Sequence, residues 1–450
     1  MKALGQDSKV VLWGVGETYN KYGYIFREVY DVVALCDGDK DKHGKTYDGV
    51  ECFGCDIIGE NAVIVMIQKE EYLKEISTYL KSKNIEYYCF NDIVKSTYEL
   101  YQDIIIGKYG DFVDVAADNQ FVLNKYLNIS VAINRCNLDC SYCYLPNKNS
   151  QEMIEKFAKN PKYVRVALSK KRLGGVALLN FCADGETLLW KESPEVFYEL
   201  LKEGHIISIV TNGLISKTIE EIIDIAGEYA RNIFFKFSFH YEQLKKNGLL
   251  NLFVENVKKV QRSKASFSVE MMPYDELEPY IKEVIDFSIK NFGALPQLTI
   301  GRDEKNGFKL LTKHSKEEYE RIWSVFESDM FAYKIKNYMK YERDCDAGKS
   351  SLQINLGDGI IRKCVCEEVV GNIYRDFDRK LEYSPIDNAC SVKYCFNNHA
   401  YVLLGCVRKD EELTYSQIRD RVNLDGEHWV KDNMRNNFSQ KCFINNSGEK

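Results

Sequence analysis

The chain has 450 residues, more than one ordinary hydrophobic core accommodates, so two or three domains are expected. Hydrophobic residues make up 45% and charged residues 28%, the balance of a globular protein, and a net charge of −6 argues against a nucleic-acid surface. The opening MKALGQDSKVVLWG has no long apolar h-region and no run reaches the length of a membrane span, so a cytoplasmic chain with no membrane partner is expected.

In chain order, apolar runs at 10–15 (VVLWGV), 32–36 (VVALC) and 62–67 (AVIVMI) are separated by helix-compatible stretches. This alternation predicts a parallel α/β unit over 1–95. Gly14 and Gly16 are the first two glycines of a dinucleotide fingerprint, but Tyr19 stands in the place of the third. Asp37 lies about twenty residues on, where a ribose-binding acid sits in such folds. The Cys52-x2-Cys55 pair has no partner pair beside it and reads as structural. Residues 96–127 read as a helical linker.

A second alternation starts at 128, with candidate strands at 128–134, 176–181, 206–211, 233–239, 266–271 and 296–300. Six β/α repeats predict a parallel sheet curled into an open barrel over 128–335. Polar residues at the C-terminal strand ends of such a barrel read as site residues. Here they are Cys136–Cys143, Asp184-Gly185-Glu186, Thr211-Asn212-Gly213, Ser238 with His240, Glu270 and Arg302. Residues 336–450 change texture to Cys, Asn, Gly and Asp and read as a small cysteine-rich α+β extension with a polar tail.

Cysteine placement carries the chemistry. Of the 15 cysteines, three stand at 136, 140 and 143, and six (Cys345, Cys364, Cys366, Cys390, Cys395, Cys406) fall within 345–406. In a reducing compartment, metal ligation explains such clusters better than disulfides. The spacing C-x3-C-x2-C lets one short loop wrap an iron–sulfur cube and bind three of its irons, leaving the fourth open to an outside ligand. A zinc site requires a fourth ligand nearby, and histidine is absent from 44 to 204.

With its loop placed after the first barrel strand and Tyr142 before the last cysteine, the chain resembles the radical S-adenosylmethionine (radical SAM) enzymes. The resemblance implies a four-iron four-sulfur cluster on Cys136, Cys140 and Cys143. It implies that the open iron chelates S-adenosylmethionine, whose reductive cleavage gives a 5′-deoxyadenosyl radical that takes a hydrogen atom from the substrate. It further implies cofactor contacts from Tyr142, from the turn Asp184-Gly185-Glu186, in which Asp replaces the family's first Gly, and from Ser238 and Glu270. A reductant such as flavodoxin or ferredoxin is the implied partner.

Cys345, thirteen residues, Gly359, four residues and Cys364 resemble the start of the SPASM/twitch extension, in which a hairpin carries two ligands of an auxiliary cluster. The sequence "GDG" at 357–359 is a turn signal. The family's next cysteine block is not matched, so one auxiliary cluster on Cys345, Cys364, Cys390 and Cys395 is expected, across the barrel mouth from the first. Cys366 and Cys406 are alternative ligands or a catalytic hydrogen donor, and zinc is the rival metal. The expected substrate is a polar small molecule, a sugar or sugar nucleotide, undergoing oxidation or epimerisation. The alternative is maturation of a ribosomally made peptide.

Overall fold

The computed structural model describes residues 4–117, 120–143, 157–303, 306–339, 345–364, 368–386, 394–395, 397–409 and 411–446. Cys366 and Cys390 lie outside the described residues. The chain forms two compact units, residues 1–110 and 111–450.

The first unit runs β1 (Lys9–Trp13), α1 (Glu17–Val29), β2 (Asp31–Cys36), β3 (Thr46–Tyr47), β4 (Val50–Phe53), β5 (Ala62–Val65), α2 (Glu70–Ser82), β6 (Tyr87–Cys89) and α3 (Phe90–Tyr109). Its sheet has the order β3-β4-β2-β1-β5-β6, parallel except for the edge pair β3/β4. The central run VVLW is buried on both faces, as a parallel strand covered by helices requires. Helix α1 covers it with Tyr19, Tyr22, Ile25, Phe26 and Val29, one face at helical spacing. Helix α3 belongs to this unit: it buries Val94, Tyr98, Tyr101 and Ile105, and Thr97 is hydrogen-bonded to the Tyr30 hydroxyl at 2.9 Å.

Asp37 follows β2 as expected, but its carboxylate is taken up by the chain itself. Oδ2 accepts the Val15 N–H at 2.8 Å and the Lys42 ammonium at 2.9 Å, and Oδ1 accepts the Asp39 N–H at 2.9 Å. Tyr19, in the place of the third glycine, is a core residue. The thiol of Cys36 is hydrogen-bonded to that of Cys55, and Cys52 is fully buried beside them.

The second unit opens with β7 (Leu123–Val131), α4 (Pro161–Ala167) and α5 (Lys170–Leu173). It continues through β8 (Val176–Ala183), α6 (Ser193–Lys202), β9 (Ile206–Thr211), α7 (Ser216–Ala226), β10 (Ile233–Ser238), α8 (Tyr241–Lys246), α9 (Leu250–Arg262), β11 (Ser266–Met271), α10 (Ile281–Phe292) and β12 (Gln297–Leu298). The six strands β7 to β12 are parallel neighbours in chain order. The expected alternation is therefore present, although β7 starts and ends several residues before the 128–134 read from sequence. Leu123, Tyr126 and Leu127 are buried, which extends pairing with β8 back to Val176.

Two short strands, β13 (Arg302–Asp303) and β14 (Lys309–Leu310), pair as a hairpin, and α11 (Lys316–Trp323) and α12 (Asp329–Lys336) follow. Then β15 (Ser351–Asn355) pairs parallel to β7, and β16 (Ile360–Arg362) and β17 (Val369–Asn372) add antiparallel, so the cysteine-rich region continues the same sheet. The "GDG" turn joins β15 to β16: Gly359 adopts φ +80°, and a Cβ there would lie 2.4 Å from Asn372 Oδ1. The last helices are α13 (Asn398–Leu403), α14 (Tyr415–Arg419), α15 (Asp432–Phe438) and α16 (Cys442–Asn445).

Strand registers define the two faces. Leu127, Ile129, Phe181, Ile207, Ile209, Phe235 and Phe237 share one face, where Phe181 packs on Phe197 of α6 at 4.8 Å between ring centres. The opposite face carries Tyr126, Leu178, Ile206 and Phe234 at its N-terminal level, buried against Leu403, Leu404, Ile418, Met434 and Phe438 of the C-terminal region. Above that level the face turns polar. Cys182 of β8 lies within electrostatic reach of Arg302, four strands along, where a flat sheet would separate them by about 19 Å. The sheet is thus curled, with the polar face concave.

His205 bolts the foot of this sheet. It is fully buried, its Nδ1 accepts the Ala177 N–H at 3.1 Å, and its Nε2–H donates to the Leu168 carbonyl at 2.8 Å. Burial pushes its pKa from 6.5 down to about 4. A histidine whose folded pKa is lowered contributes full stability above its unfolded value and loses it as pH falls towards the folded one. The fold should therefore lose on the order of 3 kcal/mol between pH 6.5 and pH 4 from this residue, a loss absent from the urea-unfolding pH profile of His205→Gln.

Candidate iron–sulfur site

Beyond β7 the chain leaves the C-terminal end of the sheet and carries Cys136, Cys140 and Cys143. The Cys143 N–H donates to the Cys140 carbonyl at 3.0 Å, closing a turn between the second and third thiols. Two neighbouring strand ends hold the loop. From β9, Asn212 donates its amide to Asn137 Oδ1 at 2.6 Å and to Cys136 Sγ at 3.7 Å. From β8, Gly185 passes directly beneath Arg135: a Cβ there would lie 2.1 Å from the Arg135 carbonyl oxygen. The next N–H, that of Glu186, donates to the same carbonyl at 2.9 Å.

Glu186, an expected cofactor contact, is bonded within the chain. Its side chain is 2% exposed. Oε1 accepts from the Thr211 hydroxyl at 2.6 Å and the Leu188 N–H at 2.9 Å, and Oε2 accepts the Asn212 N–H at 2.7 Å. Burial raises its pKa, and these three donors oppose that rise. Glu186 therefore fixes Asn212, which in turn holds the first cysteine. Gly185 fits for a second reason besides the resemblance: no side chain has room under Arg135. Asp184 is half-buried at the end of the same strand.

Burial raises the Cys136 pKa and pushes Cys140 up to about 12, so these two thiols hold their protons at neutral pH. Ligation would require the charge of a metal to draw off the protons.

Tyr142 ties this loop to the far strands. Its hydroxyl is hydrogen-bonded to His240 Nδ1 at 2.7 Å, and its ring lies 4.3 Å from that of Tyr274, whose hydroxyl donates to Glu242 at 2.6 Å. Burial holds His240 near pKa 4, so its ring is neutral at neutral pH and Nδ1 is free to accept the phenolic proton.

Ser238 and Glu270 are neighbours in register at the C-terminal ends of β10 and β11, both on the concave face. Glu270 is already engaged: Arg419 of α14 pairs with its Oε1, and the Ser268 hydroxyl donates to the same oxygen at 2.5 Å. Burial would raise the Glu270 pKa, but Arg419 and Lys236 outweigh it and hold the carboxyl low. Glu270, an expected cofactor contact, thus stands in a buried ion pair with Arg419.

Several residues of the concave face were not singled out from sequence. Asn180 binds three neighbours: its amide donates to Asn128 at 2.9 Å, and its oxygen accepts from Ser208 at 3.1 Å and Lys236 at 2.5 Å. Lys334 of α12 donates to Thr299 at 2.6 Å. Cys182 faces the same space and is exposed to solvent, so a recess opens there. Lys236 had a signal, a single lysine inside IFFKFSF; Lys334 and Arg419 had none, because helices distant in sequence bring them in.

The C-terminal cysteines fall elsewhere than expected. Cys345 and Cys364 flank the β15/β16 hairpin and pack against one apolar cluster that also contains Cys406 and Cys442. Ser351 lies beside Tyr126, and Arg362 beside Gln353, so Cys364 sits level with the early part of β7. About 17 Å of strand separates that level from the end of β7 where the first loop begins. A cluster on these residues would therefore stand towards the foot of the sheet and not across its mouth. The Tyr401 hydroxyl is hydrogen-bonded to Cys364, and the thiols of Cys406 and Cys442, both buried, are hydrogen-bonded to each other. Cys395 is half-buried and its N–H donates to the Met339 carbonyl at 3.4 Å. Cys442 was missed because nothing in its spacing links it to the others.

Residues 6–109 match the family described as "C2185-like, N-terminal". No curated protein sequence matches the chain. Among solved structures, it is similar to SuiB of Streptococcus suis bound to the precursor peptide SuiA, with 16% identity and a TM-score of 0.40 over 68% of this chain and 76% of that one. It is also similar to SuiB bound to S-adenosylmethionine, with 16% identity and a TM-score of 0.38 over 69% and 76%. A third likeness is to anSMEcpe with bound AdoMet, with 15% identity and a TM-score of 0.40 over 56% and 79%. These likenesses are distant, and the chemistry of the site rests on its own residues. No helix among the described residues is long and apolar enough to cross a membrane.

Proposed function

We propose that the chain is a radical SAM enzyme whose catalytic cluster is held by Cys136, Cys140 and Cys143. The observation that carries this reading is a loop of three thiols at the C-terminal end of a parallel sheet, pinned by Gly185, Glu186 and Asn212 from the two adjacent strand ends. When bound, the four-iron four-sulfur cluster with S-adenosylmethionine supplies the electron that breaks the sulfonium C–S bond, so that the 5′-deoxyadenosyl radical takes a hydrogen atom from the substrate. The chain's own part is positional. Asn212 directs an N–H at Cys136, Gly185 lets the loop sit down on β8, and Tyr142 with Tyr274 walls the loop on the β10–β11 side. The concave face below, lined by Ser238, Cys182 and Lys236, receives the substrate.

An auxiliary cluster is assigned to Cys345, Cys364, Cys390 and Cys395, with Cys366 the alternative ligand. Cys406 fits less well, since its thiol is engaged by Cys442 in the core. A flavodoxin or ferredoxin supplies the reducing electron. The substrate reading is a polar small molecule, a sugar or sugar nucleotide, and a ribosomally made peptide is the rival. Incubation with S-adenosylmethionine and dithionite should yield 5′-deoxyadenosine, and Cys140→Ala should yield none. Deuterium passing from a labelled sugar into 5′-deoxyadenosine supports the small-molecule reading, and a mass change in a co-incubated precursor peptide supports its rival. Equal 5′-deoxyadenosine from wild type and Cys140→Ala would end the proposal.

A further inference from the structure

The concave face gathers buried cationic side chains from three separate elements. Lys236 from β10, Lys334 from α12, Arg419 from α14 and Arg302 after β12 act on one another there. Lys236, Lys334 and Arg419 are 8%, 5% and 2% exposed. Glu270, paired with Arg419 and Ser268, is the carboxylate that acts on both lysines, and Asp184 and Glu186 act beside Lys236 and Arg302 at Cys182. The two ammonium groups reach only neutral oxygens, Asn180 Oδ1 and Thr299 Oγ1, in the hydrogen bonds they make. Burial, followed by the neighbouring cations, lowers both lysine pKa values, that of Lys236 to about 8. A buried ammonium group whose hydrogen-bond partners are neutral oxygens is costly, and such groups cluster at functional sites.

Two further observations point to a ligand. His399 of α13 is 9% exposed and faces the same four cations, yet its Nδ1 makes no hydrogen bond, and neither does Arg419 Nε. The space is also open: Cys182, with Lys236 and Arg302 but also Asp184 and Glu186 around it, is reached by solvent although it lies on the concave face.

We infer that this recess binds an oxyanion of the substrate, a phosphate or a carboxylate, between the ammonium groups of Lys236 and Lys334, with His399 Nδ1 as a third contact. The inference rests on the proposed function for its placement below the Cys136 loop, and it narrows the substrate to an anionic molecule. Arg419 is a positioning residue, since it holds Glu270 aside from the recess.

The test uses full-length protein with its iron reconstituted, titrated calorimetrically with inorganic phosphate and separately with acetate. At least one anion should bind saturably, and Lys236→Met and Lys334→Met should each weaken that binding about tenfold or more. Both substitutions remove a buried cation from beside other cations, so the fold should tolerate them, and iron content reports whether the Cys136 loop is intact. Tighter binding of phosphate points to a phosphorylated substrate; tighter binding of acetate points to a carboxylate. As a measurement on unaltered protein, phosphate should slow acylation of Lys236 and Lys334 by an amine-reactive ester, read by peptide mass spectrometry. Absence of saturable binding together with unchanged acylation rates would overturn the inference. Anion binding in a protein that never takes up iron would support the recess and sink only the radical SAM reading.

Discussion

Arg419→Met should destabilise the second unit by about 3–5 kcal/mol, the cost of removing one partner of a buried ion pair. Arg419 is 2% exposed, its guanidinium pairs with Glu270, and it also stacks 4.8 Å from the Tyr415 ring. Without it, Glu270 keeps Ser268 and the more distant Lys236, and burial becomes the dominant influence on its pKa. The sign of the pH dependence should then reverse. In the wild type the Glu270 pKa is depressed, so the residue contributes stability above the ordinary carboxylate value and loses it as pH falls. In Arg419→Met the carboxyl is raised, so the deficit should be largest at neutral pH and shrink towards about pH 5. Urea unfolding across that range measures both. The double substitution Arg419→Met with Glu270→Gln should recover part of the loss, because the uncompensated charge is then gone.

Gly185→Ala should cost the chain the iron proposed for its Cys136 loop. A methyl group at this position would lie 2.1 Å from the Arg135 carbonyl oxygen and 2.5 Å from its carbon, and both obstacles are backbone. No side-chain rotation relieves that overlap, so the chain at Arg135 must lift away from β8. Lifting it breaks the Glu186 N–H bond to the Arg135 carbonyl and draws Cys136 away from Asn212. The expected result is loss of most of about four irons per chain on anaerobic reconstitution, with the cysteines all still present. Retention of wild-type iron by Gly185→Ala would show that the β8 turn does not position the loop.

Much of this organisation was legible in the sequence for a simple physical reason. Parallel strands buried on both faces read as short apolar runs, and the runs at 176, 206, 233 and 266 became β8 to β11 with ends within about two residues. The cysteine loop was legible because its spacing is local. What stayed hidden depends on contacts between distant segments. No local pattern announces that β15 pairs with β7, yet that pairing moves Cys345 and Cys364 from the mouth of the sheet towards its foot. Glu186 was found by motif and Glu270 by its place at a strand end, but their partners Thr211, Asn212 and Arg419 decide what they do. Asp37 behaves alike: correctly placed after β2, it binds the chain's own Val15, Asp39 and Lys42.

Cys136, Cys140 and Cys143 are proposed to hold a four-iron cluster with one iron left for S-adenosylmethionine. The direct measurement is iron and sulfide quantification after anaerobic reconstitution of the wild type and of the chain with all three cysteines changed to alanine. The wild type should exceed the triple variant by about four irons per chain, and that difference should coincide with loss of 5′-deoxyadenosine formation. An iron count unchanged by the triple substitution would contradict the assignment.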